Sequence, residues 1–100
     1  MIRHVVLFKL KDEAEGGDKA TNAARIAGSL EALVGKIDGL LRLEVGRDVV
    51  GLPGAWDLAL VADLEDEEAL KNYQVHPLHV EVGKFISVVR SDRAVVDYRV

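Results

Sequence analysis

Along the chain the spacing of apolar residues switches between a period of two and a period near 3.6, and each switch marks an element. Residues 2 to 11 alternate: Ile2, His4, Val6, Phe8 and Leu10 fall on one face, with Val5 and Leu7 midway along the other. This predicts a strand with two apolar faces. Gly16-Gly17-Asp18 interrupts the pattern, and Asp18 is placed to cap a helix. From residue 19 the positions Ala20, Ala23, Ala24, Ala27, Leu30, Leu33, Val34 and Ile37 recur at helical spacing, with Gly39 as the terminator. Residues 40 to 48 alternate again, Leu41, Leu43 and Val45 sharing a face. Val49 to Ala55 contains Gly51, Pro53 and Gly54 and reads as a loop.

Trp56 to Leu64 reads as a third strand. Trp56, Leu58, Leu60, Ala62 and Leu64 form one face; Asp57, Ala59, Val61 and Asp63 form the other. Glu65 and Asp66 open an acidic helical turn, which suits the helix dipole, and Ala69, Leu70 and Tyr73 mark the buried side. Pro77 ends that helix near Val75 and starts another, whose stripe is Leu78, Val82, Phe85, Ile86 and Val89. Ser91-Asp92 reads as a turn. Arg93 to Val100 alternates as a last strand, with Ala94, Val96, Tyr98 and Val100 on one face. The order βαββαβ, its second helix broken in two, predicts an α+β ferredoxin-like domain over residues 1–100. That fold is a four-stranded antiparallel sheet with helices on one face.

Such a fold has a consequence for assembly. Val5, Leu7, Ala59, Val61 and Val95 fall on strand faces opposite the main apolar set. With helices on one face only, the other leaves an apolar patch in water, and a second copy is expected to cover it across a two-fold axis. The expected state is a homodimer, sheet against sheet with the helices outside. The alternative is that these small residues are tolerated on a solvated face.

Composition narrows the partners. Hydrophobic residues at 49% with 30% charged describe a folded globular chain, not a disordered one. The longest uninterrupted apolar run is the five residues from Leu58 to Ala62, far short of a membrane span. Met1-Ile2-Arg3-His4 reads as the start of a strand, not as a secretory signal. The absence of cysteine excludes disulfides, thiolate nucleophiles and cysteine-based metal sites, and fits a cytoplasmic location. A net charge of −4 without any lysine or arginine cluster argues against nucleic acid and anionic membranes as partners.

Candidate chemistry concentrates in Tyr73-Gln74-Val75-His76-Pro77-Leu78-His79, which holds two of the three histidines and one of the two tyrosines. His79 falls in the first turn of the helix that Pro77 opens, where the dipole disfavours a protonated imidazole. A neutral histidine beside a phenol at a helix break can serve acid–base chemistry. The simplest structural role for Tyr73 is a buried ring whose hydroxyl needs one partner, His79 itself. His76, next to Pro77, can cap the following helix. His4 shares a face with Val6 and Phe8, either as a satisfied core histidine or as part of a pocket. His76 and His79 lack a third ligand nearby, so no metal or cofactor is expected.

These segments also carry a resemblance. Ile2-Arg3-His4-Val5-Val6-Leu7-Phe8-Lys9-Leu10-Lys11, Leu43-Glu44-Val45-Gly46, Trp56-Asp57-Leu58-Ala59-Leu60-Val61, the His-Pro-x-His stretch and Val95-Val96-Asp97-Tyr98 run in order along the chain. Together they resemble the stress-responsive dimeric α/β-barrel (Dabb) family over essentially the whole length. The resemblance implies a homodimer of ferredoxin-like subunits. The family includes boiling-stable plant stress proteins, plant polyketide cyclases and bacterial members of unassigned role. In the cyclase type a tyrosine and the second histidine of His-Pro-x-His are the acid–base pair, which implies Tyr73 and His79 here. The implied pocket lies between sheet and helices, with Val6, Phe8 and Phe85 as lining residues, His76 nearby, and His4 matching a family histidine. The cyclase type carries a further histidine at the start of strand three, where this chain has Trp56-Asp57-Leu58. Asp38 stands where relatives often have proline.

Two readings follow. One is a dimeric domain that binds an apolar or carbonyl-bearing small molecule without catalysis. The other is a cofactor-free enzyme of polyketide-cyclase type, catalysing an aldol-type cyclisation or a related lyase step. There His79 would abstract a proton while the Tyr73 hydroxyl polarises the carbonyl. The wider fold also hosts cofactor-free monooxygenases, an analogy of fold alone.

Overall fold

The computed structural model describes residues 1–100, and the strand with two apolar faces, β1 (Ile2–Leu10), lies inside its main sheet. The other elements are β2 (Glu13–Ala14), β3 (Gly17–Asp18), α1 (Lys19–Glu31), β4 (Leu40–Arg47), β5 (Leu58–Leu64), α2 (Glu67–Val75), α3 (Pro77–Val89) and β6 (Arg90–Arg99). The four-stranded sheet has the order β4-β5-β1-β6, and every neighbouring pair is antiparallel. This is the expected ferredoxin-like α+β architecture.

Alternation in sequence becomes alternation in burial. Ile2, His4, Val6, Phe8 and Leu10 are buried beneath the helices, while Arg3, Val5, Leu7 and Lys9 are half-buried on the open side. Residues directly opposite in a ladder share a face. Val6 therefore meets Leu60, and His4 meets Ala62. Ile26 and Leu30 of α1 and Ile86 and Val89 of α3 close over them in one core cluster. Truncating Ile26, fully buried, to alanine would cost about 2–5 kcal/mol.

The ends of the helices are fixed by side chains. Asp18 accepts from the Thr21 amide at 2.8 Å and Asp66 from the Ala69 amide at 2.8 Å, each satisfying a first-turn donor. Pro77 has no amide hydrogen to continue α2, so His76 turns extended (φ −62°, ψ 133°) and α3 restarts at Pro77. Gly39 enters β4 at φ +82°, and a Cβ there would lie 2.6 Å from the Ala69 Cβ. Only glycine fits both demands.

Several expected boundaries move. The first helix stops at Glu31; Leu33 and Lys36 instead donate to carbonyls three residues back, in tighter turns that keep Leu33 and Ile37 buried. A short β2–β3 hairpin, turning at Glu15 (φ 50°) and Gly16 (φ 73°), precedes α1. In β4 a bulge between Leu40 and Arg42 pushes Leu41 into solvent and puts Leu40 on the covered face with Leu43 and Val45. The third strand begins at Leu58, not Trp56: the Asp57 carboxylate instead accepts the Leu10 amide at 2.7 Å. The half-buried Trp56 ring lies under the Lys9 ammonium, 4.8 Å from its centroid. Leu78, expected on the buried stripe of α3, is exposed.

At the other edge, Ser91 and Asp92 belong to β6, whose ladder with β1 begins at Arg90 and absorbs a bulge at Lys9/Leu10. This register reverses the expected faces of β6. Val95 pairs with Val6 and so lies on the covered face, whereas Ala94 pairs with Leu7, Val96 with Val5 and Tyr98 with Arg3 on the open face. The open face is thus built from Val5, Leu7, Ala59, Val61, Ala94 and Val96, without Val95. Its one buried carboxylate, Asp63, bonds Arg3 Nε at 2.8 Å and lies 3.5 Å from Arg42 Nη1. The Arg3 guanidinium holds that carboxyl below the usual carboxylate range.

Candidate functional site

The break between α2 and α3 brings together residues that one continuous helix would hold apart. Six residues at about 100° each would separate Tyr73 and His79 by roughly 120° around a straight axis. With the bend at His76, their ring centroids are 4.2 Å apart and tilted by 46°. His79 Nδ1 lies 3.3 Å from the Gln74 carbonyl oxygen. A carbonyl only accepts, which assigns the proton to Nδ1 and leaves the Nε2 lone pair free. Burial, the largest cause, lowers the pKa of His79 below its ordinary 6.5, and the charges of His4, Arg93 and His76 lower it further against the Gln74 contact. The imidazole is neutral at pH 7.

Tyr73 is fully buried, and its hydroxyl is the one buried side-chain polar atom without a hydrogen-bond partner. Burial pushes the phenol pKa well above its ordinary 10. On its other side stands His4, edge-on at 6.1 Å and 71° between ring planes. His4 is 2% exposed, and its Nδ1 lies 2.5 Å from Asp97 Oδ1. The β1–β6 register sets this pair directly opposite, His4 against Asp97. A carboxylate accepting from Nδ1 fixes the ring's orientation and tautomer.

Between this row and α3 opens a cavity of about 130 Å³. The sheet contributes His4, Val6, Phe8 and Leu60, α1 Leu30, and α2 Gln74. From α3 come His79, Gly83, Ile86 and Ser87, and from the start of β6 come Arg90 and Arg93. Positions 79, 83, 86 and 87 follow one helical stripe of α3. A Cβ on Gly83 would meet nothing within 4 Å, so the missing side chain is part of the open space.

Four expected site residues, His4, Val6, Phe8 and His79, line the cavity. Tyr73 does not line it; it stacks behind His79. Two other expected lining residues are corrected. His76 Nδ1 accepts the Leu78 amide at 3.2 Å, so its ring caps α3 and faces away from the cavity. Phe85 packs partly buried against the core, about 100° around the helix from Ile86 and off the lining stripe. Asp97, Gln74, Arg90 and Arg93 were not foreseen. An aspartate in the apolar run Ala94 to Tyr98, with the parity that sets it opposite a buried histidine, is the signal that points to Asp97. No trio of His, Asp or Glu residues gathers as a metal site.

Fold and site together define a ferredoxin-like subunit with a small histidine-lined cavity between sheet and helices. The family model for the stress responsive A/B barrel domain matches residues 2–100, and the chain belongs to that family. It is 39% identical over 79 residues to an uncharacterized protein of Streptomyces coelicolor, covering 79% of each chain. Among solved structures it resembles a dimeric ferredoxin-like protein of unknown function from Bacteroides fragilis. That likeness has a TM-score of 0.86, with 34% identity and coverage of 99% of this chain and 95% of that one. A dimeric ferredoxin-like protein of unknown function from Thermobifida fusca matches with a TM-score of 0.85 and 29% identity, covering 99% and 90%. No helix of the chain is long and apolar enough to cross a membrane.

Proposed function

We propose that this chain is a homodimeric small-molecule-binding domain, each subunit holding its ligand in the cavity between sheet and α3. The observation that carries the reading is the cavity itself, in which apolar side chains from sheet and helices face a neutral imidazole whose Nε2 is free. A carbonyl-bearing molecule with a short apolar body suits those walls. The dimer is supported by the apolar open face and by the dimeric state of the Bacteroides and Thermobifida proteins. Titration with small aromatic aldehydes and amides tests the cavity: the backbone amide signals of Gly83 and Ser87 should shift. Those shifts should vanish in Gly83→Leu, whose side chain fills the space. Unmoved cavity signals across the panel would defeat the reading.

A second reading, cofactor-free acid–base catalysis, is supported by the 4.2 Å stacking of neutral His79 on a phenol with an unpartnered hydroxyl. His79 Nε2 would take a proton from the carbon beside a carbonyl, becoming imidazolium, while a Tyr73 hydroxyl turned toward the ligand donates to the carbonyl oxygen. Tyr73→Phe and His79→Ala should then each abolish turnover found in a screen of carbonyl compounds and leave the dimer intact. Full turnover in both variants would exclude this chemistry.

A further inference from the structure

The charge at the cavity is opposite to that of the molecule. The chain carries a net charge of −4, yet two guanidinium groups, Arg90 and Arg93, line the cavity beside two histidines. Of the other arginines, Arg3 and Arg42 are held by Asp63, Arg99 by Glu67, and Arg25 by the Glu15 carbonyl and Asn22, while Arg47 is exposed at the end of β4, away from the cavity. Arg90 and Arg93 have no carboxylate within 4.0 Å. On their own face of β6 the acid is Asp97, already held by His4. It lies four residues along the strand from Arg93, roughly 13 Å at about 3.3 Å per residue. Asp92 pairs across from Lys9 on the alternate face and accepts the Arg93 backbone amide. No acid cancels these two charges at the cavity.

Of the other lining residues, Val6, Phe8, Leu30, Leu60 and Ile86 are apolar, with Gln74 and Ser87 adding neutral polar groups. A dry cavity of about 150 Å³ accommodates a benzene ring, so the about 130 Å³ here takes a body of similar size. An apolar body with an anionic head answers both halves of the lining. We propose that the ligand is a small monocarboxylate, its aromatic or branched aliphatic body against Val6, Phe8 and Ile86 and its carboxylate on Arg90 and Arg93. A planar guanidinium matches a carboxylate in a two-point fork, which a neutral carbonyl compound cannot exploit. The bound anion also offsets the positive field that Arg93 exerts on His79. Ligand binding therefore raises the His79 pKa.

This inference rests on the cavity being a ligand site, and the experiment separates the two claims. The full-length protein is titrated at low salt with benzoate and with benzamide, its neutral isostere, while the signals of Gly83, Ser87 and the His79 ring are followed. Benzoate should bind at least about tenfold more tightly than benzamide, and the His79 titration should move upward on saturation. Arg93→Gln, and separately Arg90→Gln, should each erode the preference at unchanged melting temperature, with Arg90→Lys retaining part of it. Equal affinity for the two compounds overturns the carboxylate assignment and leaves the cavity reading standing. An undiminished benzoate preference in both glutamine variants overturns it as well. If neither compound moves a cavity signal, the assignment and the reading beneath it both fail.

Discussion

The two faces of the sheet each bury one ionisable group, and they treat it in opposite ways. On the open face, Asp63 sits between Arg3 and Arg42, a carboxylate with its charge answered on both sides. On the covered face, His4 is held by Asp97 alone, beside a tyrosine hydroxyl with no partner and two arginines with no acid. Charge on the open face is closed off among side chains of the same subunit. Beyond that charged group the open face carries Val5, Leu7, Ala59, Val61, Ala94 and Val96, the apolar patch that a second copy would cover on the proposed reading. The covered face keeps hydrogen-bonding capacity unspent around a partly open cavity, the arrangement on which the proposed ligand reading rests. On the proposed reading, one sheet would separate assembly from recognition by the parity of its residues.

The sharpest way to break this division is Val61→Glu. Val61 stands on the open face opposite Glu44 and beside Val5. A carboxylate there would face Glu44, with Arg3 and Arg42 already held by Asp63, a cost of several kcal/mol if a second sheet covers it. Sedimentation at micromolar concentration should show a monomer or an unfolded chain in place of the dimer. A variant that stays dimeric and fully stable would mean that the open face is solvated.

The covered face answers to Asp97. Asp97→Ala strips the partner from a histidine that is 2% exposed, and an orphaned buried donor costs about 1–3 kcal/mol. Asp97→Asn keeps an acceptor oxygen and should lose less. Urea denaturation of the two variants ranks them, and equal losses would show that Asp97 acts by charge alone. In either variant the dimer should persist, because nothing on the open face has changed.

How much of this was legible before the coordinates follows the same parity. Strands β1 and β5 could be read residue by residue, since strict alternation survives in both. The face of β4 could not be read fully, because its bulge puts Leu41 in solvent and leaves no mark in composition. In β6 the alternation from Arg93 onward is intact, and only its pairing with β1 shows that Val95, not Ala94 and Val96, shares the covered face. The helix break was plain from Pro77, and with it the meeting of Tyr73 and His79. The arginines were not, since Arg90 and Arg93 flank what reads as a turn and acquire their meaning only from the ladder with β1.

Filling the cavity should cost nothing in stability. Gly83 sits in α3, where glycine is about 1 kcal/mol less favourable than alanine, and a Cβ added there meets open space. Gly83→Ala is expected to raise stability by up to about 1 kcal/mol, read as a higher urea midpoint, and Gly83→Leu to abolish ligand-induced shifts without unfolding. Destabilisation by the alanine variant would show that the space is already occupied by a mobile neighbour.

The smallest effect separates the two faces by pH. His79 titrates below its ordinary 6.5 in the folded chain. Between the folded value and 6.5 the unfolded chain binds more protons, so stability falls as pH drops from about 6.5 and levels off once folded His79 is protonated as well. Asp63 has the same direction of shift but a lower window: its ordinary value is 3.8, and the Arg3 bond takes it lower. The stability it contributes is full above 3.8 and is lost as pH falls through its folded value. Urea midpoints measured from about pH 7.5 down to about 3 should therefore show two declines, not one. His79→Gln should flatten the upper decline and leave the lower intact; Asp63→Asn should do the reverse. If removing His79 leaves the slope just below about pH 6.5 unchanged, the covered face does not hold its histidine desolvated. The contrast between the faces would then rest on the arginines alone.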